Sequence, residues 1–231
     1  PLIAACCLLI TILHIRSDRA LQGGLQAFAG GDIISTSRFS GVGLSAGPFD
    51  DRLFLLQNKV HQAEQNYPAA QETCLRGLEY HPNSVELLGD LGMVYALDNK
   101  LKLAKSTLRR AIQLSPNHYQ LYNNLGGVYQ KAREYQDAYQ AYWQATKIRA
   151  DHPDAWSNLG LLGMVSGDYT QSIKSFRRAI QHATFSPALH HNLADALYLR
   201  SKPGDRAAAA HHYEIFLKAW RGVPSETNVA A

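Results

Sequence analysis

From Asp51 onward, small and apolar residues return on a beat of 34 positions, in text rich in Ala, Leu, Gln and Tyr. No alternation of the kind that marks strands accompanies them, so the pattern predicts helices. Leu91-Gly92, Leu125-Gly126, Leu159-Gly160 and Leu193-Ala194 share one register. Ala70, Ala104, Ala138 and Ser172 keep the same period, as do Gly77, Ala111, Ala145 and Ala179. A column of larger residues runs through Cys74, Leu108, Tyr142 and Phe176, and another through Tyr67, Leu101, Tyr135 and Tyr169. Prolines punctuate the unit ends at Pro82 and Pro116, and again at Pro153 and Pro187. So many columns in one register predict an array of repeats.

The columns resemble the tetratricopeptide repeat (TPR) family, whose unit is a helix–turn–helix. The resemblance covers 51–84, 85–118, 119–152 and 153–186, with an irregular fifth unit at 187–220. It implies an all-α fold, a right-handed superhelical solenoid of about five repeats. Small residues at places eight, twenty and twenty-seven let helices approach, and the large residue between them fills the gap. Proline after the second helix ends it, while Arg133-Glu134 and Gly167-Asp168 mark turns inside repeats. The first repeat departs from the pattern, with Gln57-Asn58 where Leu-Gly is expected, and reads as a degenerate N-terminal cap. The fifth carries an expanded turn, Ser201-Lys202-Pro203-Gly204, before a closing helix that ends at Trp220. A tail follows over 221–231.

The N-terminus has another character. Residues 1–15 (PLIAACCLLITILHI) contain no Asp, Glu, Lys or Arg. Leu2, Ile3, Leu8, Leu9, Ile10, Ile12, Leu13 and Ile15 are expected to form a membrane anchor or a segment buried in a partner. As a helix, these residues reach only ~22 Å into a ~30 Å hydrocarbon core, so the span is incomplete within them. Residues 16–50 hold Gly23-Gly24, Gly30-Gly31 and Gly41-x-Gly43 and read as a Gly/Ser-rich linker with one short strand near Asp32–Phe39. Gly43-Leu44-Ser45-Ala46-Gly47 matches the nucleophile-elbow motif in letters. That chemistry needs a strand before the serine and a sheet beneath it, and no strand pattern follows.

Composition narrows the function classes. The 231 residues carry 23 Lys plus Arg against 19 Asp plus Glu, a formal +4 that is not gathered into a basic stripe. Nucleic-acid binding is therefore not expected. Three cysteines make no disulfide framework. His190-His191 and His211-His212 fall on the two helices of the last repeat, but no cysteine or carboxylate pattern completes a zinc site. His190 shares a column with Phe54, Leu88, Tyr122 and Trp156, which favours a packed residue. No metal, cofactor, small-molecule substrate or catalytic constellation is expected.

In the family the first helix of each repeat lines a concave groove that takes extended peptides. The resemblance puts Asn124, Asn158 and Asn192 in that groove at place six, following Asp90, with Lys131 and Asp195 beside them. An amide can donate to and accept from a peptide backbone at once, so the asparagines are similar to the ladder of O-linked glucosaminyl transferases. Bonding within the repeats is the competing role. A clamp for chaperone C-termini is not matched, because its places hold Leu55, Lys59, Asp90, Gln120 and Asn124. The reading is a non-catalytic scaffold, membrane-associated on an unassigned side, in a bacterial envelope or an extracellular assembly, with protein partners. Two alternatives stand beside it. One is a self-assembling subunit whose apolar segment is buried in neighbouring copies; the other is the TPR tail of a larger membrane-bound envelope enzyme.

Overall fold

The computed structural model describes residues 2–221, with side chains from Leu9 onward; Pro1 and residues 222–231, most of the expected tail, lie outside it. The described residues form helices and no strand: α1 (Leu2–Ala29), α2 (Ile33–Ala46), α3 (Asp51–Ala63), α4 (Tyr67–Tyr80), α5 (Val85–Leu97), α6 (Leu101–Leu114), α7 (Tyr119–Lys131), α8 (Tyr135–Ile148), α9 (Pro153–Ser166), α10 (Tyr169–His182), α11 (Pro187–Arg200) and α12 (Asp205–Arg221). The chain divides into two compact units after Pro116. The first contains the hairpins α1/α2, α3/α4 and α5/α6; the second contains α7/α8, α9/α10 and α11/α12.

Each hairpin turns on one left-handed residue. Gly31, Gln65, Asn99, Arg133, Gly167 and Ser201 all have φ between 54° and 77°, and they stand 34 residues apart. At four of these turns the following N–H closes back onto the first helix. Asp32 donates to Ala27, Asn66 to His61, Lys100 to Tyr95 and Glu134 to Tyr129, in backbone bonds of 2.8–2.9 Å. This closure satisfies carbonyls that the helix end would otherwise leave open. Side chains also cap second helices: Asp32, Asn66 and Asp168 accept from the N–H groups of Ser35, Ala69 and Gln171.

The columns do the packing expected of them. Ala70, Ala104, Ala138, Ala111, Ala145 and Ala179 have no exposed surface. Opposite each place-eight glycine lies the large residue of the same hairpin. A Cβ on Gly126 would stand 2.6 Å from the Tyr142 ring, and one on Gly160 would stand 2.5 Å from the Phe176 ring. In α3, where Asn58 holds that place, the facing column is narrowed to the buried Cys74. Ser172 interrupts the alanine column without loss, because its hydroxyl donates to the Gly160 carbonyl at 2.9 Å. The expanded turn is closed by Arg200, whose guanidinium donates to both Asp205 oxygens at 2.6 and 2.8 Å.

The stretch 16–50 is neither linker nor strand. It is the helical hairpin completed by the second half of α1 and by α2, and α2 packs on α3. The α3 hairpin is thus an interior repeat and not the N-terminal cap. Glycine density argues against a helix, since each glycine in a helix costs ~1 kcal/mol relative to alanine. Here the glycines meet large neighbours: a Cβ on Gly24 would stand 2.4 Å from Leu56, and one on Gly43 would stand 2.6 Å from Leu53. Thr36 and Ser40 are fully buried and remain satisfied. Thr36 donates to the Asp32 carbonyl at 2.6 Å, and the Ser40 hydroxyl lies 2.5 Å from Gln57 Oε1. Gln57 therefore replaces the expected leucine because it faces a hydroxyl. Ser45, at the end of α2, donates to the Val42 carbonyl at 2.8 Å.

Leu9, Ile10, Ile12 and Ile15 line the opening turns of α1 and are 48–58% exposed, while Leu13 is half-buried. The side chains of Leu2, Ile3 and Leu8 lie outside the described residues. Among the described residues, no helix is long and apolar enough to cross a membrane.

Two measurements test this packing. Deleting residues 1–15 should leave the melting temperature unchanged. Deleting 1–50 should lower stability on the order of 3 kcal/mol, because Leu53 and Leu56 lose their cover; equal melts for both deletions would mean the first hairpin is dispensable. Ala145→Leu should cost about 1–3 kcal/mol in denaturant unfolding, since an overpacked helix crossing forces the backbone apart.

Candidate peptide-binding site

The first helices of the second unit, α7, α9 and α11, carry Asn124, Asn158 and Asn192 at equivalent places, all half-buried. Their surroundings differ. Asn158 Nδ2 donates to Asn123 Oδ1 across the α7–α9 contact at 2.9 Å. Asn124 and Asn192 make no side-chain hydrogen bond among the described residues. Asn192 lines a cleft of about 510 Å³ between α9 and α11, with Asp154, Ser157, Ala188 and Leu189. That volume falls within the range of ligand sites.

The two charged residues expected beside them are placed differently. Lys131 is exposed at the end of α7. Asp195 is engaged inside its own hairpin, where Tyr213 donates to Oδ1 at 2.5 Å and His191 Nδ1 lies 3.4 Å from Oδ2. Burial, reinforced by that bond, pushes the Tyr213 hydroxyl up to about 12. Asp195 thus braces α11 against α12.

The histidines of the last repeat also bind one another. His190 and His212 share an Nδ1···Nδ1 hydrogen bond of 2.9 Å, which requires one ring to donate and the other to accept. Burial and neighbouring histidines lower the pKa of both. Among the described residues no group of three metal-ligating side chains converges.

In the first unit, place six of α5 is Asp90, which accepts from the buried Asn58 at 3.0 Å. The sequence pattern offered no pointer to this pair, because Asn58 lies in the column of small residues. Burial raises the Asp90 carboxyl above its ordinary 3.8, opposed by Lys59 and by the Asn58 bond. Cys74, the buried free thiol, is likewise pushed up by burial, which keeps it unreactive.

The twelve described helices, paired through small-to-large columns on a period of 34, define a helical repeat protein. Family profiles for the tetratricopeptide repeat match residues 85–118 and 123–188. The chain is a tetratricopeptide repeat protein, with the all-α TPR solenoid fold. Among solved structures it is similar to PilW, described as a widely conserved type IV pilus biogenesis factor, with TM-score 0.79 and 16% identity over 93% of this chain and 98% of that one. PilF of Pseudomonas aeruginosa gives 0.75 and 16% over 91% and 95%. A thermophilic TPR protein of Thermus thermophilus gives 0.69 and 20% over 79% and 99%. Among curated proteins none matches. At these identities the likeness is one of fold, and the repeats make the chain a protein-interaction scaffold.

Asp90→Asn puts into α5 the amide that α7, α9 and α11 carry at the same place. A carboxyl whose pKa is raised by folding favours its neutral form, so its ionisation destabilises the fold above the raised value and the penalty vanishes below 3.8. The variant should therefore melt higher than wild type at pH 7 and lose that advantage below pH 3.8. A lower melting temperature at pH 7 would show that the Lys59 attraction outweighs desolvation.

Proposed function

We propose that this chain is a non-catalytic scaffold that grips extended peptide segments along α7, α9 and α11, with its apolar N-terminal turns serving as a tether. The observation that carries the groove is the pair of half-buried amides, Asn124 and Asn192, without internal partners among the described residues. Each offers one acceptor and two donors, enough to meet the N–H and C=O of one peptide residue. Asn158 contributes its free carbonyl while its amino group holds α9 to α7. Lys131, exposed at the end of α7, brings a positive charge to that edge of the groove, whereas Asp195 serves the fold. The tether is supported by the exposed Leu9, Ile10, Ile12 and Ile15, followed by Arg16 and Arg19. Basic residues beside an apolar face suit a surface of anionic lipid. The same exposed side chains support a second reading, in which α1 is buried in another copy. A membrane-associated setting goes with this tether and rests on those exposed apolar turns.

Peptides enriched from a displayed library on the wild-type chain provide the test. Asn124→Ala with Asn192→Ala should weaken their binding by about 1–3 kcal/mol per site while the melting temperature holds. Asn158→Ala should lower the melting temperature, because it removes the bond to Asn123. Undiminished affinity in the double variant would sink the groove reading. Flotation with anionic vesicles against sedimentation of the lipid-free chain separates tether from self-association.

A further inference from the structure

Place eleven of the first helix is His61 in α3, Tyr95 in α5, Tyr129 in α7 and Leu197 in α11, but Gly163 in α9. Tyr129 and Leu197 are buried. Beside Gly163 a cavity of about 310 Å³ opens between α8, α9 and α10. Tyr135 and Tyr139 of α8 line it together with Leu159, Leu162, Ser166 and Asp168, among others. A Cβ on residue 163 would stand 2.5 Å from Ser172 Oγ and 2.9 Å from the Asp168 carbonyl oxygen. The close approach of α9 and α10 therefore demands glycine, and the cavity is a consequence of the backbone path.

Its charge is unbalanced. Asp168 is the one charged residue in the lining, and no Lys or Arg pairs with it among the described residues. Oδ1 accepts from the Gln171 N–H at 3.0 Å, capping α10. Two repeats earlier the same places are filled from within. Lys100 stands where Asp168 does, Asp98 where Ser166 does, and Gln71 where Tyr139 does. Lys100 Nζ lies 2.7 Å from Asp98 and donates to Gln71 Oε1 at 2.9 Å, and Gln71 donates to Asp98 at 2.8 Å. That repeat supplies its own cation. Around Gly163 the cation has become an acid and the amide has become an aromatic ring, so the place is left for a cation from outside.

We propose that this cavity receives an arginine side chain of a partner protein. The methylene stem lies along Leu159 and Leu162, and the guanidinium stacks on the Tyr135 and Tyr139 rings and pairs with the Asp168 carboxylate. Arginine fits better than lysine, because a planar guanidinium stacks on rings and gives up less hydration on leaving water. The same unit already contains this contact, with Arg149 Cζ 5.0 Å from the centre of the Tyr119 ring. The site does not depend on the asparagines of the proposed groove.

The probe is N-acetyl-arginine methylamide, titrated into the full chain and followed by amide chemical shifts. Its citrulline analogue, of the same shape without charge, and N-acetyl-tyrosine methylamide serve as comparisons. Saturable millimolar binding is expected, with shifts at Gly163, Ser166 and Gln171. The citrulline analogue should bind about tenfold more weakly, since a charge-assisted bond is lost. Asp168→Asn should weaken arginine binding by a similar factor while the melting temperature holds, because asparagine caps a helix as well as aspartate. Tyr139→Ala should weaken it too, with helical circular dichroism kept. Absence of saturable shifts at these amides, equal binding of citrulline, or preference for the tyrosine probe would each overturn the proposal. So would unchanged binding by a folded Asp168→Asn chain.

Discussion

The fold depends on one steric relation, repeated along the chain: a small residue at place eight of one helix faces a large side chain from its partner. Gly126 beneath Tyr142 and Gly160 beneath Phe176 bring the helix axes close enough for the large residue to be enclosed. Burying a side chain of this size is worth roughly 1.5–3 kcal/mol, so each interlock is a main stabilising contact of its hairpin. The relation is one of summed volume and not of identity. In the α3/α4 hairpin the residues are Asn58 and Cys74, medium against small, and both are buried. In the first hairpin Gly24 and Gly43 accept Leu56 and Leu53 from the neighbouring repeat.

Once helices are paired this way, polar side chains divide between the fold and the surface. Asn58, Asn158 and Asp195 hold helices to one another through bonds of 2.5–3.0 Å. Asn124 and Asn192, in the same column as Asn158, make no such bond among the described residues. The repeat register therefore sets which face a residue shares, while its neighbours decide whether it is available. The cavity at Gly163 follows from the same steric relation, because there the glycine admits the close approach of α10 and space opens beside it.

Much of this was legible in the sequence. The period located ten of the twelve described helices, and the turn residues Arg133 and Gly167 stood at the places where the backbone becomes left-handed. The first hairpin was legible only in outline. Gly24, Thr36, Ser40, Gly43 and Pro48 stand one period before Asn58, Ala70, Cys74, Gly77 and Pro82. Their glycines and hydroxyls mimic linker composition, and propensity alone argued against a helix. Packing overrode it, since Leu53 and Leu56 of the next repeat cover the glycines and the backbone and Gln57 satisfy the hydroxyls.

By itself the sequence determined the repeat, its register and the column of asparagines, because those follow from spacing along one chain. Tertiary structure alone decided which of those residues remain available. Asn158 meets Asn123 from 35 residues away, Asp195 meets Tyr213 from 18, and Lys100 meets Gln71 from 29. Hydrogen bonds of this kind depend on the separation and angle of two helices to within an ångström, and periodicity carries no such measure. The Gly163 cavity has the same origin: a glycine in a helix is visible in the text, but the space left beside it exists only once α8, α9 and α10 have packed.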